Sequence, residues 1–250
     1  MKQNRLLALI SANQQRGKKL TIKNEGDTTH VYLYDAIGGY WGIEAESFVT
    51  RLNDIDSPNI VLHINSPGGD VFDGRAIAVA IKQHKSKITG QIDGLCASAA
   101  TYVSAACDSV TMADGGFYMI HEGWTLAMGN KQDFAKTVSL LEKIDDSILN
   151  DYQRKTGLDR DQLANWMASE TWFSATEAKD HGFINAILDD DTDDKEIENK
   201  SNWDLSAYAN TPANLKAPKN NADDEDDLSN QKEFMARLRR QTEVLAMTTV

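Results

Sequence analysis

Short apolar runs of strand length alternate with longer helical stretches from about Lys19 to Leu188, and this alternation constrains the fold more than any other feature of the sequence. Val31-Tyr32-Leu33-Tyr34, Ile60-Val61-Leu62-His63-Ile64 and Tyr118-Met119-Ile120 have the length and residue types of strands. Strands interleaved with helices pack as a sheet covered by helices, so residues 19–188 are expected to form an α/β domain. Within it, Phe134, Val138, Leu141, Ile144, Ile148 and Tyr152 recur at steps of three and four, which predicts a helix over Lys131 to Lys155. Its stripe either packs on the core or meets another subunit.

Texture changes on both sides of that domain. Residues 1–18 are expected to be a separate N-terminal segment with a short helix. After Leu188 the sequence becomes Asp189-Asp190-Asp191-Thr192-Asp193-Asp194 and later Asp223-Asp224-Glu225-Asp226-Asp227, with Pro212 and Pro218 between. Such composition buries too little surface to offset ordering entropy, so 189–227 is expected to be an acidic disordered linker. Residues 228–250 read as a C-terminal helical tail, with Phe234, Leu238 and Leu245 at near-helical spacing; a partner-binding helix and a solvated tail both fit.

Charge and cysteine usage narrow the function. Lys and Arg number 26 against 38 Asp and Glu, and the net charge of −12 opposes a phosphate-binding surface, so nucleic acid is not expected as a partner. No apolar run approaches the roughly 18 residues of a spanning helix, so no membrane role is expected. Cys96 and Cys107 lack the spacing of a zinc or redox pair and read as reduced core residues. The apolar stretch Leu6 to Ile10 is shorter than the roughly seven residues a secretory signal needs, which favours a cytoplasmic location.

Four segments carry chemistry. Asn65-Ser66-Pro67-Gly68-Gly69-Asp70 lies between an apolar strand and a helix-like run from Val71 to Gln83, where two glycines let the backbone bend sharply and turn N–H groups outward. Gly94-Leu95-Cys96-Ala97-Ser98-Ala99-Ala100 sets one hydroxyl among small side chains, without the G-x-S-x-G elbow of α/β-hydrolases. Gly115-Gly116-Phe117-Tyr118-Met119-Ile120 delivers His121 to the C-terminal edge of its strand, where sites in open α/β sheets lie. Glu170 precedes Trp172-Phe173 and a helix start at which Ser174 and Glu177 fit a capping box. Each has a bland reading alone: a turn, close helix packing, a structural histidine and a surface charge. Together they supply a nucleophile, a base, an orienting acid and oxyanion donors, in the order Ser98, His121, Glu170.

On Ile64-Asn65-Ser66-Pro67-Gly68-Gly69, the serine segment, Met119-Ile120-His121, and Phe173-Ser174-Ala175-Thr176-Glu177-Ala178 with Gly182-Phe183-Ile184, the chain resembles the proteolytic subunit of the Clp peptidases over about residues 28–188. It is especially similar to the phage and prophage branch associated with capsid maturation. The resemblance implies a crotonase-like superhelix of ββα units, with Ser98 as nucleophile, His121 as general base and the amides of Gly69 and Ala99 as oxyanion donors. Aligned without gaps from Ser174, the acidic triad position falls on Glu170, where the family usually has Asp. A ring-shaped homo-oligomer is implied, with Lys131 to Lys155 matching the family's long projecting helix. No metal or other cofactor is expected, and no G-x-x-x-x-G-K-[ST] loop occurs, so any ATP dependence would come from a separate unfolding partner. The implied substrates are proteins or peptides, including capsid or scaffold protein. Two other readings of the same residues are a crotonase-type thioester enzyme and a non-catalytic capsid-assembly module.

Overall fold

The computed structural model describes residues 20–38, 42–188, 203, 205 and 207–215. The expected N-terminal segment 1–18 and helical tail 228–250 lie outside the described residues.

Strands β1 (Thr21–Glu25) and β2 (Thr28–Leu33) form an antiparallel hairpin that turns at Gly26, whose φ of +60° suits a residue without a Cβ. β2 then pairs in parallel with β3 (Asn59–Ser66), β3 with β4 (Lys87–Ala97), β4 with β5 (Ser109–Met112), and β5 with β8 (Ala186–Ile187). Parallel neighbours need crossovers, and helices α1 (Ala45–Asn53), α2 (Val71–Gln83) and α3 (Ala100–Ala105) provide them. Alternation decides which face they cover. Val31, Leu33, Ile60, Leu62, Ile64, Ile88 and Ile92 are buried in one core with Phe48, Leu52, Ile77, Ile81 and Val103 of the helices. Full burial of each such side chain contributes about 1.5–3 kcal/mol. The intervening residues form a polar network instead: His63 Nδ1 lies 2.8 Å from Asp93 Oδ2, and its Nε2 lies 2.9 Å from His30 Nδ1. Two histidines are thereby committed to the sheet.

β4 is the branch point. Thr89–Ile92 pair with β5, whereas Leu95–Ala97 pair with β6 (Phe117–Ile120), which pairs antiparallel with β7 (Thr171–Ser174), so the eight-stranded sheet forks here. A register shift on β3 between Ile64 and Ser66 accompanies the divergence. The C-terminal ends of β3, β4 and β6 are thus gathered where the sheet forks.

Helix α4 (Lys131–Thr156) opens with an Asn130/Asp133 capping box and stops at Gly157, φ +72°. Only Ile148, Leu149 and Tyr152 of it are buried. They are held by Tyr152 Oη and Thr101 Oγ1 at 2.6 Å and by an ion pair between Arg75 and Asp151 at 2.7 Å. The apolar stripe read from the sequence is therefore core only in its last turns. Phe134, Val138 and Leu140 remain about half exposed at 49 %, 55 % and 53 %. α5 (Arg160–Ala168) and α6 (Ala175–Asp180) complete the layer, the latter with the Ser174/Glu177 capping box expected from the sequence. Cys96 and Cys107 are free thiols in the core, pushed up to about 12 by burial. Among the described residues, no helix is long and apolar enough to cross a membrane.

Part of the stretch assigned above to an acidic linker packs against the domain. Trp203, Leu205, Ala207, Tyr208 and Thr211 are buried, and Ala213–Leu215 form one 3₁₀ turn. Between its two aspartate-rich runs this stretch carries enough aromatic and aliphatic surface to be held, and averaging its composition over 189–227 hides that.

Candidate active site

The register Ala97↔Met119 aligns the ends of β4 and β6, so Ser98 and His121 follow directly from neighbouring strands. Ser98 leaves its strand in the left-handed region, φ +53°, with its amide donating to the Met119 carbonyl at 2.9 Å and its carbonyl accepting from Thr101 N at 2.9 Å. This turn aims the hydroxyl at the imidazole, and Ser98 Oγ lies 2.7 Å from His121 Nε2.

The Pro67-Gly68-Gly69 turn lies against the same serine. A Cβ on Gly68 would sit 2.6 Å from Ser98 Cβ and 2.8 Å from Ala99 N, so only glycine lets the two backbones approach this closely. Ile37 clamps the turn from the other side: its amide donates to the Gly68 carbonyl and its carbonyl accepts from Asp70 N, both at 2.8 Å. Asp70 then caps α2 by accepting from Phe72 N and Asp73 N. Among the described residues, the amides of Gly69 and Ala99 have no protein acceptor. The structure therefore brings together four of the five residues singled out in the sequence, two of them as unoccupied donors beside a hydroxyl.

Glu170 is placed differently. It ends α5 in the left-handed region, φ +48°, and the pairing of Ile120 with Thr171 sets it opposite His121. Its carboxylate accepts from Ala209 N at 2.8 Å, Asn210 N at 2.6 Å and Trp172 Nε1 at 3.3 Å, and makes no hydrogen bond to the imidazole. It acts on His121 through its charge. Burial drives the imidazole pKa down to about 4, and the Glu170 carboxylate opposes that shift. His121 is accordingly neutral at pH 7, as a proton acceptor must be.

Aromatic residues enclose the pair. The rings of Trp124 and Tyr208 stand edge-on to His121 at centroid distances of 5.9 and 5.6 Å, and Trp172 packs on Tyr208 at 5.7 Å. Tyr208 also hydrogen-bonds the Pro67 carbonyl through its hydroxyl, which neighbours Ser98. Trp124 and Tyr208 were not singled out in the sequence, and Trp172 appeared there only as an apolar residue after Glu170. Trp203, Leu205 and Tyr208 were legible only as apolar residues interrupting an acidic stretch.

A hydroxyl hydrogen-bonded to a neutral imidazole, with unpaired amides alongside, is the equipment of covalent acyl transfer. Comparison with known proteins agrees. The family model for Clp protease matches residues 44–191, more than half of the chain. The chain is 29% identical over 151 residues to the ATP-dependent Clp protease proteolytic subunit of Deinococcus radiodurans, covering 58% of this chain and 74% of that protein. It is 32% identical over 159 residues to the corresponding subunit 1 of Chlamydia abortus, covering 62% and 78%. A point mutant of ClpP1 from Listeria monocytogenes superposes with a TM-score of 0.58 at 24% identity, covering 65% of this chain and 92% of that one, which shows the shared fold. By its sequence match and its architecture, this chain belongs to the Clp protease family, whose members are serine peptidases.

Proposed function

We propose that the chain is a serine endopeptidase working through Ser98, His121 and the Gly69 and Ala99 amides. The observation that carries this reading is the 2.7 Å contact between Ser98 Oγ and His121 Nε2 beside two amides without protein acceptors. His121 Nε2 takes the hydroxyl proton as Oγ attacks a substrate carbonyl. The carbonyl oxygen becomes an oxyanion held by the two amides, and the imidazolium returns its proton to the departing amine. An acyl ester on Ser98 remains, and water deprotonated by His121 hydrolyses it. Glu170 stabilises the imidazolium by its charge. This role suits a carboxylate one methylene longer than the family's usual Asp. The Ser98–His121 hydrogen bond favours this reading over a crotonase-type enolate mechanism, which needs no nucleophile. It also favours it over a non-catalytic assembly module.

The finer reading follows the sequence resemblance to the phage and prophage branch: a capsid or scaffold protein as substrate, in the cytoplasm of a bacterial host or within a procapsid. The relatives named above are ATP-dependent, and on this proposal a separate ATPase would supply any unfolding. The half-exposed Phe134, Val138 and Leu140 of α4 support assembly into a homo-oligomeric ring.

A fluorophosphonate probe tests the chemistry. Wild type is expected to be labelled on Ser98, with labelling abolished in Ser98→Ala and strongly slowed in His121→Ala. Removing the serine or the histidine each lowers turnover by about three orders of magnitude or more, and removing both costs little further. Equal labelling of His121→Ala and wild type would overturn the reading.

A further inference from the structure

The ground beside Ser98 is already occupied by the chain itself. Trp203, Leu205 and Tyr208 form a small apolar cluster with Leu95, Ala97 and Met119 at the ends of β4 and β6, and Phe117, Trp124, Trp172 and Leu215 pack against it. This cluster is separate from the main core. Its outer half consists of a segment that joins the domain across more than a hundred residues of sequence, the Tyr208 hydroxyl reaching the carbonyl of Pro67 and Trp203 Nε1 reaching Asn65 Oδ1 at 3.5 Å. Without the segment, an apolar groove lined by Leu95, Met119, Trp124 and Trp172 would lie open along the nucleophile.

The contacts are those of a bound peptide. Consecutive backbone amides, Ala209 N and Asn210 N, are taken by one carboxylate, Glu170, while Asn210 Nδ2 donates to the Ser169 carbonyl at 2.6 Å. One aromatic side chain, Tyr208, is inserted between Trp124, Trp172 and the His121 ring. The hold has a second consequence: Glu170 spends its two oxygens on the segment and has none directed at the imidazole.

We propose that Trp203, Leu205 and residues 207–211 act as a cis-acting inhibitory strap that fills the substrate groove with Tyr208 as its anchor, and that withdrawing it opens Ser98 and frees the Glu170 carboxylate to support His121. This rests on the serine-peptidase reading for what it inhibits. The strap shows what the groove accepts: a tight turn, closed by Tyr208 N on the Leu205 carbonyl at 3.0 Å, that presents an aromatic side chain followed by two free backbone amides. A protein substrate presenting such a sequence displaces the strap by competing for the same contacts. Catalysis is therefore coupled to the affinity of the substrate for the groove, since only the open fraction reacts.

The test uses the full-length chain and two variants, Tyr208→Ala, which removes the anchor, and Asn210→Pro, which removes one of the two amides given to Glu170. Both are expected to react with a fluorophosphonate about tenfold faster than wild type or more. In each, the His121 imidazole, followed by NMR titration, is expected to titrate higher than in wild type because its cover is lost. Equal labelling rates with an unmoved His121 titration in both folded variants would overturn the strap. If the serine-peptidase reading alone were wrong, neither wild type nor variant would be labelled, while the His121 titration would still rise in both variants and the strap would stand.

Discussion

Ser98 and Glu170 share an uncommon backbone: among the described residues they are the two non-glycine positions with positive φ, +53° and +48°. Each left-handed residue costs of order 1–2 kcal/mol. Ser98 is kept there by hydrogen bonds to Met119 and Thr101, and Glu170 by its amide on the Met167 carbonyl at 3.1 Å and by the three donors on its carboxylate. Both lie at the rim where β4 and β6 end and β7 begins, one bonded to His121 and the other facing it across the β6–β7 pair. Strain placed at two positions around one imidazole aims a hydroxyl and a charge that regular strands would have directed elsewhere.

The Gly68 turn should tolerate no side chain. A Cβ there meets Ala97 O at 2.5 Å and Ser98 Cβ at 2.6 Å. Gly68→Ala is expected to lower kcat by about 10²-fold or more, by pushing the Gly69 and Ala99 amides, the proposed oxyanion donors, away from Ser98. It should also cost about 2 kcal/mol or more of stability. Gly26→Ala is the control: its φ is also positive, +60°, but no atom lies within 4 Å, so about 1 kcal/mol is lost and turnover is kept. Peptide turnover and urea melts on both variants check the contrast.

The pH response follows from His121. Its pKa, driven to about 4 in the fold mainly by burial, lies below the ordinary 6.5 of the unfolded chain. Between those values the unfolded state binds more protons, so stability is full above about 6.5 and falls as pH drops through that window towards about 4. His121→Gln should flatten this part of the stability curve, as read by urea midpoints at pH 7 and pH 4.5. Glu170→Gln removes the charge that opposes burial, and the imidazole should then titrate lower still by NMR.

Helix α4 should matter for assembly and little for the fold of one subunit. Phe134→Asp with Val138→Asp changes half-exposed positions far from the buried end at Ile148 and Tyr152. Unfolding free energy of the isolated subunit is expected to move by no more than about 0.5 kcal/mol per site. Sedimentation velocity should show the assembly shifting to smaller species. An unchanged sedimentation profile would refute a role for this stripe in association.

Much of the fold was readable along the chain because it depends on local periodicity. The alternating apolar residues of β3 determine which face is core, the Gly68-Gly69 pair marks the turn, and the Val71–Gln83 helix has the bounds its pattern predicts. The proposed base was legible as well, since His121 lies directly after a strand whose end the sequence marks, whereas the proposed nucleophile, Ser98, was marked only by its small neighbours. The rest depends on contacts between segments distant in sequence. That Glu170 bonds Ala209 and Asn210 and leaves the imidazole bond unmade depends on a backbone conformation and on a segment forty residues away, neither of which has a local signature. That Tyr208 lies over Ser98 depends on an apolar patch exposed where β4 changes partners. Periodicity reports how a segment folds on itself; which surface remains for another segment to cover is known only once the strands have chosen their neighbours.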